Sequence, residues 1–419
     1  MLSKCIRREF HCWATVIPGL ESLLQYELVK QGVATKSTCV YRDYSGGVEL
    51  QVNDEQFWRL ACCSRLTESI RVQIGRFTLT NRRGLLTSLM DIPWEKYITK
   101  DDSINVSSTV IKNNMFFPRD INDIVMQSDP LNGLAKEIVS DKKRGGKKLY
   151  FLIRRDNVTV SLDAGFDSKR GYREFTAETP LKETVAAALC YTALRNAGRL
   201  HNNILFFDFF CGSGVLCDEM ASILTRDYPY LQRQRLLTDF HYGFEKWPIH
   251  NANAFQSFIT RLETEHQQPS MIRDFGMVNS DISARAIFCA RRNASNLFKE
   301  EGAIPPSFSF TQGDFEKRQE LLLEGLEGLE GLKDRNHDSI VILANPPIYK
   351  PDAGDYKELD KLYQNLFSLI FNLKKMQVLK SAVVLIPFSM QFHLPQQLNN
   401  LVCLRQLKLG DHSLCMLSV

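Results

Sequence analysis

The chain has 419 residues, 44% of them hydrophobic and 24% charged, with a net charge of +4. This is ordinary soluble globular composition, long enough for two or three domains, and the net charge alone selects no partner. Eleven cysteines are scattered without a CxxC pair. They read as reduced thiols in a cytosolic protein, which argues against a disulfide framework and a zinc site. The start, MLSKCIRREFHC, has no apolar run of signal-peptide length, and no stretch approaches the ~18 apolar residues of a membrane helix. A cytoplasmic protein with no membrane and no metal is expected. The basic excess lies in residues 1–175, as it would if that part met a polyanion; solvated surface gives the same imbalance.

In chain order, FHCWATV reads as a strand and PGLESLLQYELVKQG as an amphipathic helix bounded by Pro-Gly and Gly. GGVELQV is a strand, FWRLACCSRL a helix, RVQIGRF a strand, and NVTVSLDAG (157–165) a strand that closes the region. The basic segment DKKRGGKKLYFLIRRD lies within it. Lys142, Lys143, Arg144, Lys147 and Lys148 around two glycines suit either a phosphate-contacting hairpin or a solvated turn. Phe116, Phe117 and Arg119, and Tyr150, Phe151, Arg154 and Arg155, interleave aromatic and basic side chains as RNA-contacting surfaces do, and core packing explains the aromatics equally.

From ETPLKETVAAALCYTALRNAG onward the texture becomes strictly alternating. Thr179 is a helix cap, Pro180 the first helical residue and Gly198 the stop. Then come ILFFDFF (strand), CGSGVLCDEMASIL (turn into helix), FGMVNSDI (strand), SARAIFCARRNASNLF (helix), FSFTQGD (strand), SIVILANPP (strand), LYQNLFSLIFNLKK (helix) and SAVVLIPF (strand). That alternation predicts a parallel sheet covered by helices on both faces. The repeat EGLEGLEGLKD (324–334) is an exposed insertion without chemistry.

The chemistry collects at strand exits. In FFDFFCGSGVLCDE a strand ends at Asp208, and a turn with Cys211, Gly212, Ser213 and Gly214 opens a helix. Glycines there allow close ligand approach to a helix N-terminus. The spacing is neither the dinucleotide fingerprint nor a phosphate loop. Asp281 and Asp314 end the next two strands, where carboxylates accept from ribose hydroxyls and an adenine amino group; each residue type also caps helices. Together they describe a nucleoside site without a phosphate grip, and S-adenosylmethionine is such a ligand. Asn345-Pro346-Pro347 leave the fourth strand. If the Asn345 side-chain oxygen and the Pro346 carbonyl each accept one N–H of an exocyclic base amine, its lone pair points at a sulfonium methyl, and the two prolines stiffen the turn. The alternative is a rigid turn after a strand. His241 and His250 read as structural, because such a transfer needs no histidine base.

The residues RGYRE (170–174), PLKETVAAAL (180–189), DFFCGSG, NSDISARAIFCARRNA (279–294) and NPP, in that order, carry a resemblance. The C-terminal part resembles class I methyltransferases of the N2-guanine RNA group. From about residue 12 to 419 the chain is similar to the bacterial large-subunit (23S) rRNA guanine-N2 methyltransferases that carry a THUMP domain; GFEKWPIH (243–250) looks like that family's aromatic insertion. The resemblance implies an α/β fold: a Rossmann-like class I methyltransferase domain preceded by an α+β ferredoxin-like/THUMP RNA-binding region. It implies a ferredoxin-like region over 1–55, a THUMP domain over 56–167 and the methyltransferase over 168–419. Asp208, Cys211, Gly212, Ser213 and Gly214 would hold the methionine end of S-adenosylmethionine, Asp281 the ribose and Asp314 the adenine, with Asn345 beside the methyl. Asn345, Pro346, Pro347 and Ile348 would form the catalytic segment. Ile348 stands where the family has an aromatic residue that stacks on the flipped guanine, with Tyr349 one residue on, and Ser283 stands at a second acidic position. Structured RNA is the implied partner, with rRNA first and tRNA as the alternative. A catalytically weak RNA-binding or ribosome-assembly protein is the reading outside enzymes. DNA N6-adenine and glutamine-N5 methyltransferases share NPP, and the THUMP-like half argues against them.

Overall fold

The computed structural model describes residues 8–79, 81–140, 145–178, 180–198, 204–268, 272, 274–327, 339–348, 356–394, 402–409 and 412–419. Its first half contains β1 (Glu9–Thr15), α1 (Glu21–Lys30), β2 (Cys39–Tyr41), β3 (Gly47–Asn53), α2 (Asp54–Cys63), β4 (Ser69–Thr78), α3 (Arg82–Met90) and β5 (Ser103–Ile111). Then follow α4 (Pro118–Met126), α5 (Asp129–Asn132), β6 (Glu137–Val139), β7 (Lys147–Arg154) and β8 (Asn157–Asp163). The second half continues with α6 (Glu183–Ala197), β9 (Ile204–Asp208), α7 (Val215–Leu224), α8 (Pro229–Leu236), α9 (Ala252–His266), β10 (Phe275–Asp281) and α10 (Ala284–Leu297). It ends with β11 (Phe308–Gln312), α11 (Phe315–Glu327), β12 (Ser339–Ala344), α12 (Tyr356–Lys375), β13 (Leu379–Pro387), β14 (Cys403–Leu409) and β15 (His412–Ser418). Two compact units result: Met1–Val16 with Leu24–Ser168 and Asp239–Leu262, and Ile17–Leu23 with Lys169–Thr238 and Glu263–Val419.

The first unit holds an eight-stranded sheet in the order β2-β3-β1-β4-β8-β7-β5-β6. It is antiparallel except that β5 runs parallel to β6 and β7. Alternation in the sequence sets its faces: along β1, Phe10, Cys12 and Ala14 turn inward, as a period of two requires. Helix α2 starts with a reciprocal cap, in which Gln56 N–H donates to the Asn53 side chain and Asn53 N–H to the Gln56 side chain, both at 3.0 Å. It buries Phe57 and Trp58. Phe57 lies edge-on to Phe244 (5.1 Å between centroids) and stacks on Trp247, while Trp58 meets Phe255 and Phe258. The aromatic segment GFEKWPIH therefore contributes to the core of this unit.

The second unit holds a seven-stranded sheet in the order β11-β10-β9-β12-β13-β15-β14. Strands β9 to β13 are parallel, as the alternation predicted. The hairpin of β14 and β15, absent from the sequence reading, adds antiparallel pairing to β13. The chain runs outward from β9 to β11 and returns to β12 on the other side of β9, so the strand order reverses between β9 and β12. Ligands of open α/β sheets bind beyond the carboxyl ends at such a reversal. β12, SIVILA, is buried at every residue, the pattern of a parallel strand covered on both faces. Ile340, Ile342 and Ala344 pack with Tyr363, Leu366, Phe367 and Ile370 of α12. Each of these Ile, Leu and Phe side chains contributes about 1.5–3 kcal/mol by leaving water.

Two helix boundaries refine the sequence reading. α6 begins at Glu183 behind Lys182, so Pro180 precedes the helix, where its fixed φ serves the extended approach. Gly198 does end it, at φ 69°. Thr179 lies outside the described residues, as do Lys142, Lys143, Arg144, Tyr349 and residues 328–334 of the Glu-Gly-Leu repeat; α11 runs into the start of that repeat. Among the described residues no helix is long and apolar enough to cross a membrane.

Candidate functional site

Four strand exits carry the predicted side chains. Asp314, Asp281, Asp208 and Asn345 follow one another across β11, β10, β9 and β12 in spatial order, on strands about 4.8 Å apart. Their heights differ. Asp208 pairs with Asn279, and Phe207 with Ile342. Asp281 and Asn345 thus each stand two residues, about 6.6 Å, beyond the level of Asp208. Asp208 is the floor and the other two are walls.

The glycine turn is tied to both carboxylates. Phe210 N–H donates to Asp208 Oδ1 at 3.0 Å, and Gly212 N–H to Asp281 Oδ2 at 2.9 Å. Cys211 N–H bonds Ser280 O across the adjacent strand. Gly212 and Gly214 have φ of 53° and 85°, a region where L side chains are strained. A Cβ on Gly214 would also stand 3.1 Å from Ala290 of α10. The turn hands over directly to α7, whose N-terminus faces the same crevice. Cys211 is buried, and burial with the neighbouring Asp208 pushes its thiol well above the ordinary range, so it stays a protonated, unreactive group.

Asp281 Oδ1 accepts from Ser283 N–H at 2.9 Å, and the Ser283 hydroxyl accepts from Ala286 N–H at the start of α10. Asp314 is exposed and accepts from Glu316 N–H at 2.8 Å. Both carboxylates therefore hold backbone at helix starts, and each oxygen of Asp281 keeps a lone pair for a further donor.

Of the strand-exit side chains, two present a buried acceptor with no donor among the described residues: Asp208 Oδ2 and Asn345 Oδ1. Both oxygens of Asp218, in the first turn of α7, are likewise buried without a donor. Burial chiefly, and the nearby Asp281 charge secondarily, push the Asp208 carboxyl up to about 8, against the Phe210 hydrogen bond. A buried acceptor left unmatched is costly. The pair suits a ligand that brings a cationic amine to the floor and an N–H to the wall, which the amino-acid end of S-adenosylmethionine and a base amine supply. Beyond Asn345, Pro346 is buried while Pro347 and Ile348 are exposed. Tyr363 O–H donates to the Pro347 carbonyl at 3.3 Å, fixing the turn to α12.

Asn293 of α10 is a residue the sequence reading did not single out. Its Oδ1 accepts from Glu174 and Phe175 N–H (3.1 and 3.0 Å), and its Nδ2 donates to Phe175 O and Ser213 O (2.8 and 2.9 Å). One amide thereby ties the segment after RGYR to the glycine turn. The signal was available: an Asn on the inward face of a helix whose other inward residues include Ala286, Ala290 and Leu297.

The RGYR arginines pair with carboxylates. Arg170 is fully buried with Glu219 at 3.2 Å, and Tyr172 O–H donates to the same Glu219 at 2.9 Å. Arg173 bonds Glu183 and the Leu181 carbonyl. In the first unit, Lys147 is bound to Asp102 at 2.7 Å. Phe151 is core, whereas Tyr150 lies 4.0 Å under the Arg71 guanidinium and Phe117 is exposed. His250 sits among Trp58, Phe244 and Phe255.

Residues 170–392 match the family model described as RMKL-like, methyltransferase domain. The chain is 25% identical over 361 residues to the ribosomal RNA large subunit methyltransferase K/L of Aeromonas hydrophila, covering 84% of this chain and 47% of that protein. The protein of the same name from Syntrophotalea carbinolica is 26% identical over 362 residues, covering 84% and 46%. The chain thus spans about half the length of these relatives. Among solved structures it is similar to a possible methylase from Clostridium difficile 630, with a TM-score of 0.72 at 20% identity over 98% of both chains. It is also similar to the crystal structure of SMU.472 complexed with SAH, with a TM-score of 0.70 at 21% identity over 99% of this chain and 98% of that one. The fold is that of these class I methyltransferases.

Proposed function

Because the chain belongs to the family of RMKL-like methyltransferase domains, we propose that it transfers a methyl group from S-adenosylmethionine to the N2 amino group of a guanine in RNA, 23S-type rRNA being the expected substrate. The observation that carries this reading is the unmatched Asn345 Oδ1 at the β12 exit, across the strand reversal from the unmatched Asp208 Oδ2. The relatives named for the ribosomal large subunit support an RNA substrate. We assign residues 1–55 to a ferredoxin-like region, 56–167 to a THUMP RNA-binding domain and 168–419 to the methyltransferase domain.

In this reading Asp208 neutralises the cofactor's ammonium, and the backbone of Cys211 to Gly214 lines its methionine end. Asp281 accepts from the ribose and Asp314 from the adenine amine. S-adenosylmethionine supplies an electrophilic methyl group on a sulfonium. Asn345 Oδ1 and the Pro346 carbonyl each accept one N–H of the flipped guanine amine, which draws its lone pair out of the ring and aims it across the gap. Pro347, anchored through Tyr363, keeps that carbonyl direction fixed. Ile348 offers the base an apolar face in place of a ring.

The test is methyl incorporation into undermodified rRNA and tRNA, mapped to the nucleotide. Asn345→Ala is expected to keep cofactor affinity within about threefold in calorimetry and to lose transfer by at least about 100-fold, as removal of a positioned polar group does elsewhere. Equal loss of both would refute the role given to Asn345. Transfer to tRNA alone would move the substrate to the alternative. Ile348 favours a second reading, an RNA-binding or assembly protein that retains the fold, and absence of S-adenosylmethionine binding would select it.

A further inference from the structure

Helix α10 has a face that nothing in the methyl-transfer reading uses. Its charged residues are Arg285, Arg291 and Arg292, with no carboxylate along its 14 residues. Arg285, Phe288 and Arg292 recur at i, i+3 and i+7, so they share one side, opposite the buried Ala286, Ala290 and Asn293. Phe288 is 56% exposed, and Ile282, just before the helix, is 70% exposed. Large apolar side chains this open on an otherwise well-packed helix call for a reason. The face is also built. Phe175 stands edge-on to Phe288 at 5.9 Å, the Arg292 guanidinium lies 5.5 Å over the Phe175 ring, and Asn293 holds the Phe175 backbone. Among the described residues, Arg285 and Arg292 have no carboxylate partner. Glu174 and Glu178 flank Phe175, so that margin is mixed in charge while the helix itself is basic.

We propose that this face binds a single-stranded segment of the RNA substrate, with Phe288 stacking on a base and Arg285 and Arg292 contacting its phosphates. The inference rests on the RNA-methyltransferase reading and adds a surface to it. Rings beside guanidinium groups are the combination that holds unpaired strands, since a base offers a π-face whatever its sequence and each phosphate one charge. The geometry suits a strand leading to the site. The face begins at Ile282, next to Asp281 on the sheet's carboxyl rim, and descends about 12 Å from Ala284 to Arg292.

The experiment compares wild type with Phe288→Ala, Phe288→Tyr and the double variant Arg285→Gln/Arg292→Gln. Readouts are fluorescence anisotropy with a labelled single-stranded RNA of mixed sequence, binding to an undermodified large-subunit rRNA transcript, and calorimetry with S-adenosylhomocysteine. Phe288→Ala should weaken single-strand affinity about 5- to 100-fold, and Phe288→Tyr should restore it. The double variant should lower the slope of log affinity against log salt by about 1.4. All should bind S-adenosylhomocysteine as wild type does. If wild type binds and methylates rRNA while the variants keep its affinity and salt slope, this surface is refuted and the enzyme reading stands. If the variants lose S-adenosylhomocysteine binding in step with RNA, the face serves the cofactor and the RNA assignment is refuted. If wild type binds the cofactor analogue but neither RNA, the RNA reading itself fails, and this surface with it.

Discussion

Asp208 shows how much one strand exit can carry. The sequence placed a carboxylate there, and the fold set it two residues below its neighbours, buried, with one oxygen matched and the other bare. Its carboxyl is pushed up to about 8 mainly by burial, whereas an unfolded chain would titrate near 3.9. Between these values the folded protein therefore holds a proton that the unfolded chain has released. Its stabilising contribution is whole below about pH 4 and is lost as pH rises towards 8. Asp208→Asn should flatten that decline, and melting temperatures measured from pH 5 to 8.5 check it. An unchanged slope would mean that the group ionises with little penalty. The same linkage makes binding of the cationic cofactor tighter with rising pH, because the ionised form is the one that pairs with an ammonium. Asn345 was legible from Asn-Pro-Pro after an apolar strand. What the sequence could not show is that its oxygen lacks a partner among the described residues, since that depends on neighbours from other elements.

At the scale of elements, the parallel strands were readable because buried runs alternate with amphipathic helices and glycine turns. SIVILA is buried throughout and apolar after Ser339 because it is covered on both faces. The β14–β15 hairpin was missed: CLRQLKL and HSLCMLS have no long apolar run, and the Gly-Asp pair between them in the sequence (410–411), a two-residue hairpin signal, was passed over. Pairing with β13 supplies what local propensity does not. Asn293 belongs to this scale, since one side chain couples α10, the segment after RGYR and the glycine turn. Asn293→Ala should lower stability by at least about 2 kcal/mol, because two N–H groups and two carbonyls lose their partner together. It should also weaken S-adenosylhomocysteine binding through a loosened Ser213. Urea denaturation and calorimetry measure the two effects, and stability loss with intact affinity would confine Asn293 to packing. The alternation that revealed α10 as a helix gave no account of its outer face, since exposed Phe288 and its arginines satisfy no core requirement.

For the whole molecule, each compact unit is assembled from separate stretches of the chain. Residues 239–262 follow α8 in sequence yet pack as part of the first unit, where Phe244, Trp247, Phe255 and Phe258 cover Phe57 and Trp58. A fragment of residues 8–168 should therefore melt well below the same fragment with 239–262 attached through a flexible linker, because several large aromatic faces, each worth about 1.5–3 kcal/mol, would open to water. Equal melting temperatures in circular dichroism would show that the aromatic cluster adds nothing to that unit. The sequence by itself determined the class of fold, the row of polar side chains at successive strand exits and the family, because hydrophobic period and short motifs are local properties of the chain. Only the tertiary structure decided which acceptors are left unmatched, that the RGYR arginines are spent on Glu219 and Glu183, and which segments share a core. Partners and burial arise from residues far apart in sequence, and no local pattern encodes them.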